Sequence, residues 1–210
     1  MQVLLETERL VLRRFTEADV DHLFALDNDP EVMRYINGGT PTPREVIEND
    51  ILPGFIHYDE RGPAYGFWAA VVKITGDFVG WFSFRPKKDT PHEIELGYRF
   101  RKIAWGKGYA TEGAQALIHK SFTELGVQCV VATTYEENLA SRRVMGKIGM
   151  TFRRAFRPTP EDLMNSDTSY TTFDEVWDGD DVEYALERSD WEWQELGGLD
   201  QLLDGRADPR

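Results

Sequence analysis

The chain has 210 residues, 41% hydrophobic and 29% charged, which suits one globular domain with a substantial core. A formal net charge of -13 argues against general nucleic-acid binding, which needs a basic face. One cysteine excludes a disulfide framework or thiolate metal cluster, and neither a bilayer-length apolar run nor a signal-peptide core occurs, so a cytoplasmic protein is expected.

In chain order, Val3 to Phe15 alternates as a strand. Thr16 to Leu26 reads as a helix capped by Thr16, and Asp29 to Ile36 as a second, with Asp29 capping and Pro30 at its first position. Pro43 to Tyr58 continues as helix or loop, with an interruption expected at Pro53-Gly54. Gly66 to Ile74 and Phe78 to Arg85 form a hairpin across Thr75-Gly76-Asp77, and Ile94 to Arg101 is the next strand. It runs into Trp105-Gly-Lys-Gly108-Tyr-Ala110, where small residues let another molecule approach the backbone. A helix follows, with Ala110, Ala114, Leu117, Ile118 and Phe122 on one face, and its free N–H groups make a ready phosphate site. The spelling is neither a P-loop nor a dinucleotide fingerprint, since no Gly-x-x-x-x-Gly-Lys-Ser/Thr occurs and Thr111 stands where a third glycine would fall. On the glycines alone, a turn without ligand remains an equal reading. A strand at Val127 to Ala132, a helix from Asn138 with Gly149 as C-cap, a strand at Met150 to Phe156 and a last strand around Ala185-Leu186 complete the order.

Two segments look unlike the rest. Residues 158–181 carry eight carboxylates and no Lys, Arg or His, interleaved with Tyr170, Phe173 and Trp177. They read either as an acidic lid that attracts an amine or as a solvated insertion. A tail over 189–210 opens with a Ser189/Glu192 capping pair, expected to start a short helix that Gly197-Gly198 ends.

The run Glu137-Asn138-Leu-Ala-Ser141, closed by Gly149 and Phe152, resembles the GNAT superfamily of acyl-CoA N-acyltransferases, in which Asn-x-x-Ser opens a short helix. The glycine turn resembles that superfamily's pyrophosphate loop, with Trp105 departing from its usual Gln or Arg. Thr7 to Arg13 and Asp29 to Tyr35 are similar to the branch containing the ribosomal-protein N-terminal acetyltransferases. The likeness covers roughly residues 3–156, with a looser match over 182–191. It implies a mixed α/β, centrally splayed sheet with a largely antiparallel start, flanked by helices, in a single domain over 1–188.

The resemblance also implies acetyl-CoA or another acyl-CoA as co-substrate, no metal, and an acceptor that is a small amine or a protein N-terminus. A homodimer is left open, and no nucleic acid or membrane is involved. The pantetheine arm would pair with the backbone of Tyr98, Arg99 and Phe100. The pyrophosphate would meet Gly106, Lys107, Gly108, Tyr109, Ala110 and Thr111. Asn138 resembles the family's pantetheine-binding or substrate-positioning Asn and also suits a helix N-cap; Arg143 would reach the cofactor phosphates or lie on a helix surface. Glu95, on one strand face with Glu93 and Gly97, is either the general base or a surface cross-strand carboxylate. Ser141 is either a donor to the thioester sulfur or a helix-start serine; many relatives carry a Tyr acid seven residues after the Asn, and here that position is Met145. Cys129, in a core strand, reads as structural, and the four histidines show no ligand spacing. Two other classes stay open, a non-catalytic acyl-CoA-binding module and an acidic interaction protein.

Overall fold

Eight strands form one sheet in the order β1-β2-β3-β4-β5-β6-β8-β7. The computed structural model describes residues 2–58, 62, 64–87, 90, 92–157 and 179–195. Most of the acidic segment and the end of the tail therefore lie outside the described residues, including Gly197-Gly198.

The opening alternation is two strands, β1 (Val3–Glu6) and β2 (Leu10–Arg14), rather than one. Thr7 breaks the run: its N–H bonds to the Leu10 carbonyl, and Leu10 N–H returns to the Thr7 hydroxyl. The first helix opens with a 3-10 turn, Glu17–Asp19, before α1 (Val20–Asp27), because Asp19 Oδ2 accepts from both the Thr16 N–H and the Thr16 hydroxyl. Asp29 caps α2 (Pro30–Asn37) through Glu31 N–H, as its sequence suggests. No break occurs at Pro53-Gly54. A short α3 (Arg44–Val46) passes through a wide π turn, Ile47–Ile51, into α4 (Leu52–Ile56). The wide turn leaves Pro53 at the start of α4, where its missing N–H costs no interior bond.

Strands β3 (Gly66–Val72) and β4 (Phe78–Pro86) form the expected hairpin, and β5 (Glu93–Phe100) pairs antiparallel with β4. A 3-10 turn, Lys102–Ala104, leads to α5 (Tyr109–Glu124). Then come β6 (Cys129–Tyr135), α6 (Leu139–Lys147), β7 (Thr151–Phe156), β8 (Asp181–Glu187) and a helix over 188–195. Strand β8 inserts between β6 and β7, and β5–β6 is the parallel pair in an otherwise antiparallel sheet.

Period-two alternation gives each sheet face its own core. Leu10, Leu12, Trp68, Phe82, Leu96 and Val130 face α5 and α6, meeting Leu117, Phe122, Met145 and Ile148. Phe15, Phe67, Ala69 and Trp81 face the other way, onto Leu23, Leu26, Ile51 and Phe55 of α1 to α4. Burial of the larger of these side chains, at roughly 1.5–3 kcal/mol each, holds the helices to the sheet.

Candidate active site

The central strands part company early. Parallel pairing joins Glu93, Ile94 and Glu95 to Cys129, Val130 and Val131 and stops there. Beyond that point Leu96 to Phe100 pairs with β4, while Ala132 to Tyr135 pairs with β8, so a fork opens from Glu95 and Val131.

Hydrogen-bond alternation fixes which backbone groups line it. Lys87 N–H bonds to the Glu93 carbonyl and Arg101 N–H to the Val79 carbonyl, so odd-numbered residues of β5 bond toward β4. The even-numbered Tyr98 and Phe100 then direct N–H and C=O into the fork. Arg188 N–H bonds to the Gln128 carbonyl and Glu136 N–H to the Asp180 carbonyl, so the same rule turns Thr133 backbone into the fork from β6. Of the three residues expected to offer backbone to a pantetheine arm, Tyr98 and Phe100 fit, and Arg99 does not. Arg99 turns its backbone to β4 and its side chain to the opposite face, where it pairs with buried Asp27 at 2.7 Å and lies over Trp81. The Phe100 carbonyl is already engaged, by the Trp105 indole N–H at 2.8 Å. Trp105 thereby earns its place at the position that departs from the family spelling: it ties the glycine turn to the end of β5.

That turn sits at the N-terminus of α5. Gly106 and Gly108 have φ of 73° and 83°, a region that favours glycine, and Gly108 is the N-cap. Open space surrounds Gly106, with nothing within 4 Å of where a Cβ would stand. Tyr109, Ala110 and Thr111 form the first helical turn, with amides available to an anion. Arg9, part of the opening Thr7 to Arg13 run but not among the expected site residues, braces this turn. Its Nη1 donates to the Lys107 carbonyl, its Nε and backbone N–H donate to Glu112, and its guanidinium lies 4.8 Å from the Tyr109 ring centre. Burial raises the Glu112 pKa, but bonds from Thr7 and Arg9 outweigh it and hold the carboxyl below its ordinary value.

On the helix side of the fork, Asn138 caps α6. Its Oδ1 accepts from Ser141 N–H at 3.2 Å and its Nδ2 donates to Thr134 Oγ1 at 3.1 Å, so the N-cap reading of Asn138 holds. Ser141 Oγ lies 3.0 Å from the Tyr98 phenol. Burial pushes the Tyr98 pKa up to about 12, against the opposing effect of the Ser141 bond. Arg143 is exposed on α6, while its neighbour Arg142 donates to the Glu136 carbonyl and the Tyr184 hydroxyl.

On the other side, Glu95 stands at the vertex of the fork. It shares its face with Gly97 and Arg85, and its Oε2 accepts from Arg85 Nη2 at 3.0 Å. Beyond it the rings of Tyr35 from α2 and Tyr135 from β6 stack at 6.1 Å. Strand alternation therefore places Glu95 and the Tyr98–Ser141 pair on opposite faces of the sheet, with the fork as the passage between them. Cys129 lies away from this passage, buried with Val131 and Ala185; burial, then the contact with Glu187, pushes its thiol up to about 12, which suits a structural role. Among the described residues, no group of three or more His, Cys, Asp or Glu is placed to hold a metal, and no helix is long and apolar enough to cross a membrane.

Comparison with known proteins bears on the family and the fold. The family model described as an acetyltransferase (GNAT) domain matches residues 9–151. An Aspergillus fumigatus protein named FsC-acetyl coenzyme A-N(2)-transacetylase is 31% identical over 188 residues, 84% of this chain and 78% of its own. The crystal structure of a GNAT-family acetyltransferase from Bacillus anthracis superposes with a TM-score of 0.71 at 27% identity, covering 88% of this chain and 98% of that one. The fold is also that of RimL, a ribosomal L7/L12 alpha-N-protein acetyltransferase solved in complex with coenzyme A (TM-score 0.67, 17% identity, 89% of this chain and 98% of that one).

Proposed function

Because this chain belongs to the GNAT acetyltransferase family, and is therefore an N-acetyltransferase acting on acetyl-CoA, we propose that it works by direct attack of an amine within a ternary complex, the acceptor being a primary amine of a small molecule or a protein N-terminus. The observation that carries this reading is the fork beyond Glu95 and Val131, opening beside a glycine turn at a helix N-terminus. A strand edge that turns the Tyr98 N–H and C=O and the Phe100 N–H into the fork matches the amides of a pantetheine arm. An open, positively poled turn matches a pyrophosphate. Gly106 leaves room, and Lys107, Gly108, Tyr109, Ala110 and Thr111 supply backbone.

The two sides of the fork divide the chemistry. An amine arriving on the α1–α4 side meets Glu95, which accepts its proton directly or through water. Its lone pair forms the new N–C bond at the acetyl carbonyl, the C–S bond breaks, and the electron pair stays on sulfur. The thiolate departs toward the α6 side, where Ser141 offers an O–H. Asn138 fixes the first turn of α6 and so fixes Ser141. Arg143, exposed on α6, would meet cofactor phosphates that extend over that helix. The name of the Aspergillus relative, which specifies transfer to an N(2) position, supports a nitrogen acceptor. A cytoplasmic location is part of this reading, supported by a lone buried thiol and no disulfide-forming partner in the sequence.

A panel of amino acids, polyamines, aminoglycosides and short peptides with free N-termini, each with acetyl-CoA and with succinyl-CoA, tests it. The expected result is CoA release with a subset of amines, faster from acetyl-CoA, and initial-rate lines that intersect. Parallel lines would mean a covalent acyl-enzyme and would overturn direct attack.

A further inference from the structure

The position where many similar enzymes carry a tyrosine acid is Met145, which is buried in the core between sheet and helices. A phenol reaches the same side of the fork from a different element. Tyr98 lies on β5 past the last β5–β6 pair, and its side chain crosses to the first turn of α6. Its Oη is 3.0 Å from Ser141 Oγ and 3.2 Å from the Ser141 carbonyl oxygen. The ring packs edge-on to Phe82, so it is held by the core and not by the hydrogen bond alone.

We propose that Tyr98 is a positioning residue for thiolate departure: it acts through Ser141, which it holds at the fork and to which it donates a hydrogen bond as the C–S bond breaks.

A phenol has one O–H and two nearby acceptors on Ser141, so it serves one at a time. When it bonds to the carbonyl, the Ser141 hydroxyl can bond back to the phenol oxygen. When it turns to Ser141 Oγ, the serine proton is free to point at the sulfur. Donation into Oγ makes the serine a stronger donor, because hydrogen bonds in a chain polarise one another. No proton need leave Tyr98: burial disfavours the phenolate, and thiols are acidic enough (a cysteine thiol ionises at about pH 8.5) that a hydrogen-bonded thiolate is a viable leaving group that solvent protonates afterwards. The electron pair of the C–S bond ends on sulfur, and the ammonium proton goes to the base on the other face. The same Tyr98 whose backbone lines the fork thus controls the leaving group with its side chain.

This inference rests on Ser141 facing the sulfur, and the test separates the two. CoA thiol release from acetyl-CoA is followed with benzylamine as a generic primary amine, and with water alone as acceptor, for Tyr98→Phe, Ser141→Ala and the double variant. CoA affinity is measured in parallel by calorimetry. Tyr98→Phe keeps the ring and its packing. It is expected to lower kcat about ten-fold, leave the acetyl-CoA KM and CoA Kd within two-fold, and add nothing in the Ser141→Ala background. If the loss from Tyr98→Phe is the same with and without the serine hydroxyl, or appears in Kd instead of kcat, the relay is wrong and Tyr98 only pins β5 to α6. If Ser141→Ala lowers kcat while Tyr98→Phe does not, Ser141 stands and this inference falls. If both are silent, the placement of Ser141 at the sulfur is itself wrong.

Discussion

Gly106 and Gly76 make a matched pair for testing the glycine turn. Both have φ of 73°, and a Cβ at either would find nothing within 4 Å. Alanine at either therefore meets the same backbone strain and no clash, roughly 1–2 kcal/mol for an L-residue in the left-handed region. At about 2–4 °C per kcal/mol for a chain of this size, each variant should melt about 2–8 °C below wild type. The sites differ in position. Gly76 lies in the β3–β4 turn, and Gly106 in the turn that opens α5, where the open space is the volume proposed for a pyrophosphate. A methyl there intrudes on ligand and tilts the amides. CoA affinity of Gly106→Ala should fall at least about ten-fold, or ~1.4 kcal/mol, while Gly76→Ala binds as wild type. Calorimetric titration with CoA, with melting curves with and without ligand, gives both numbers. If the two variants lose equal stability and bind CoA equally well, the pyrophosphate does not sit at Gly106.

Glu95→Gln keeps an oxygen for Arg85 but not a base, so kcat should fall about 10²–10⁴-fold with the acetyl-CoA KM little changed; wild-type turnover across pH would leave Glu95 as a strand residue. At Gly97 a Cβ would stand 2.4 Å from the buried Ser83 Oγ, so Gly97→Ala should destabilise by about 1–3 kcal/mol through overpacking. Ser83→Ala should rescue it, since the Ser83 hydroxyl has no hydrogen-bond partner among the described residues and its Cβ is 3.8 Å away; chemical denaturation of the three variants decides, and a double variant no better than Gly97→Ala refutes the packing argument. Asp181, beside Tyr135 in the register, has its pKa raised from 3.8 to about 6 by burial and then by Asp180. The folded state thus binds more protons than the unfolded one between about pH 4 and 6, and stability declines as pH rises through that window. Asp181→Asn should remove that part of the decline, leaving melting temperatures equal below pH 3.5 and higher in the variant at pH 7; parallel curves would show that Asp181 is solvated.

Local chemistry was legible in the linear chain because it depends on near neighbours. Asp29-Pro30 marks a helix start, Thr75-Gly76-Asp77 a hairpin, and Asn138 a cap that also lies in a family motif. The glycine turn and the start of the helix behind it are written in eight consecutive residues, so the strand-to-helix turn was readable from neighbours alone. The breaks were misjudged where a side chain chose among local options: Thr7 splits the first alternation, and a π turn lets Pro53 sit inside a helical run.

What only the tertiary structure decided involves residues far apart in sequence. The fork exists because β6 leaves β5 for β8, a strand some fifty residues later, and no local pattern announces where two strands stop pairing. That parting point puts Glu95 at a vertex and turns Tyr98, not Arg99, into the opening. Arg9 reaches Lys107 and Glu112 across about a hundred residues, Asp27 meets Arg99 across 72, and Tyr98 meets Ser141 across 43. Each is an ordinary polar side chain in its own segment. Its role comes from the sheet order, which sets the strand neighbours and thereby which distant groups meet.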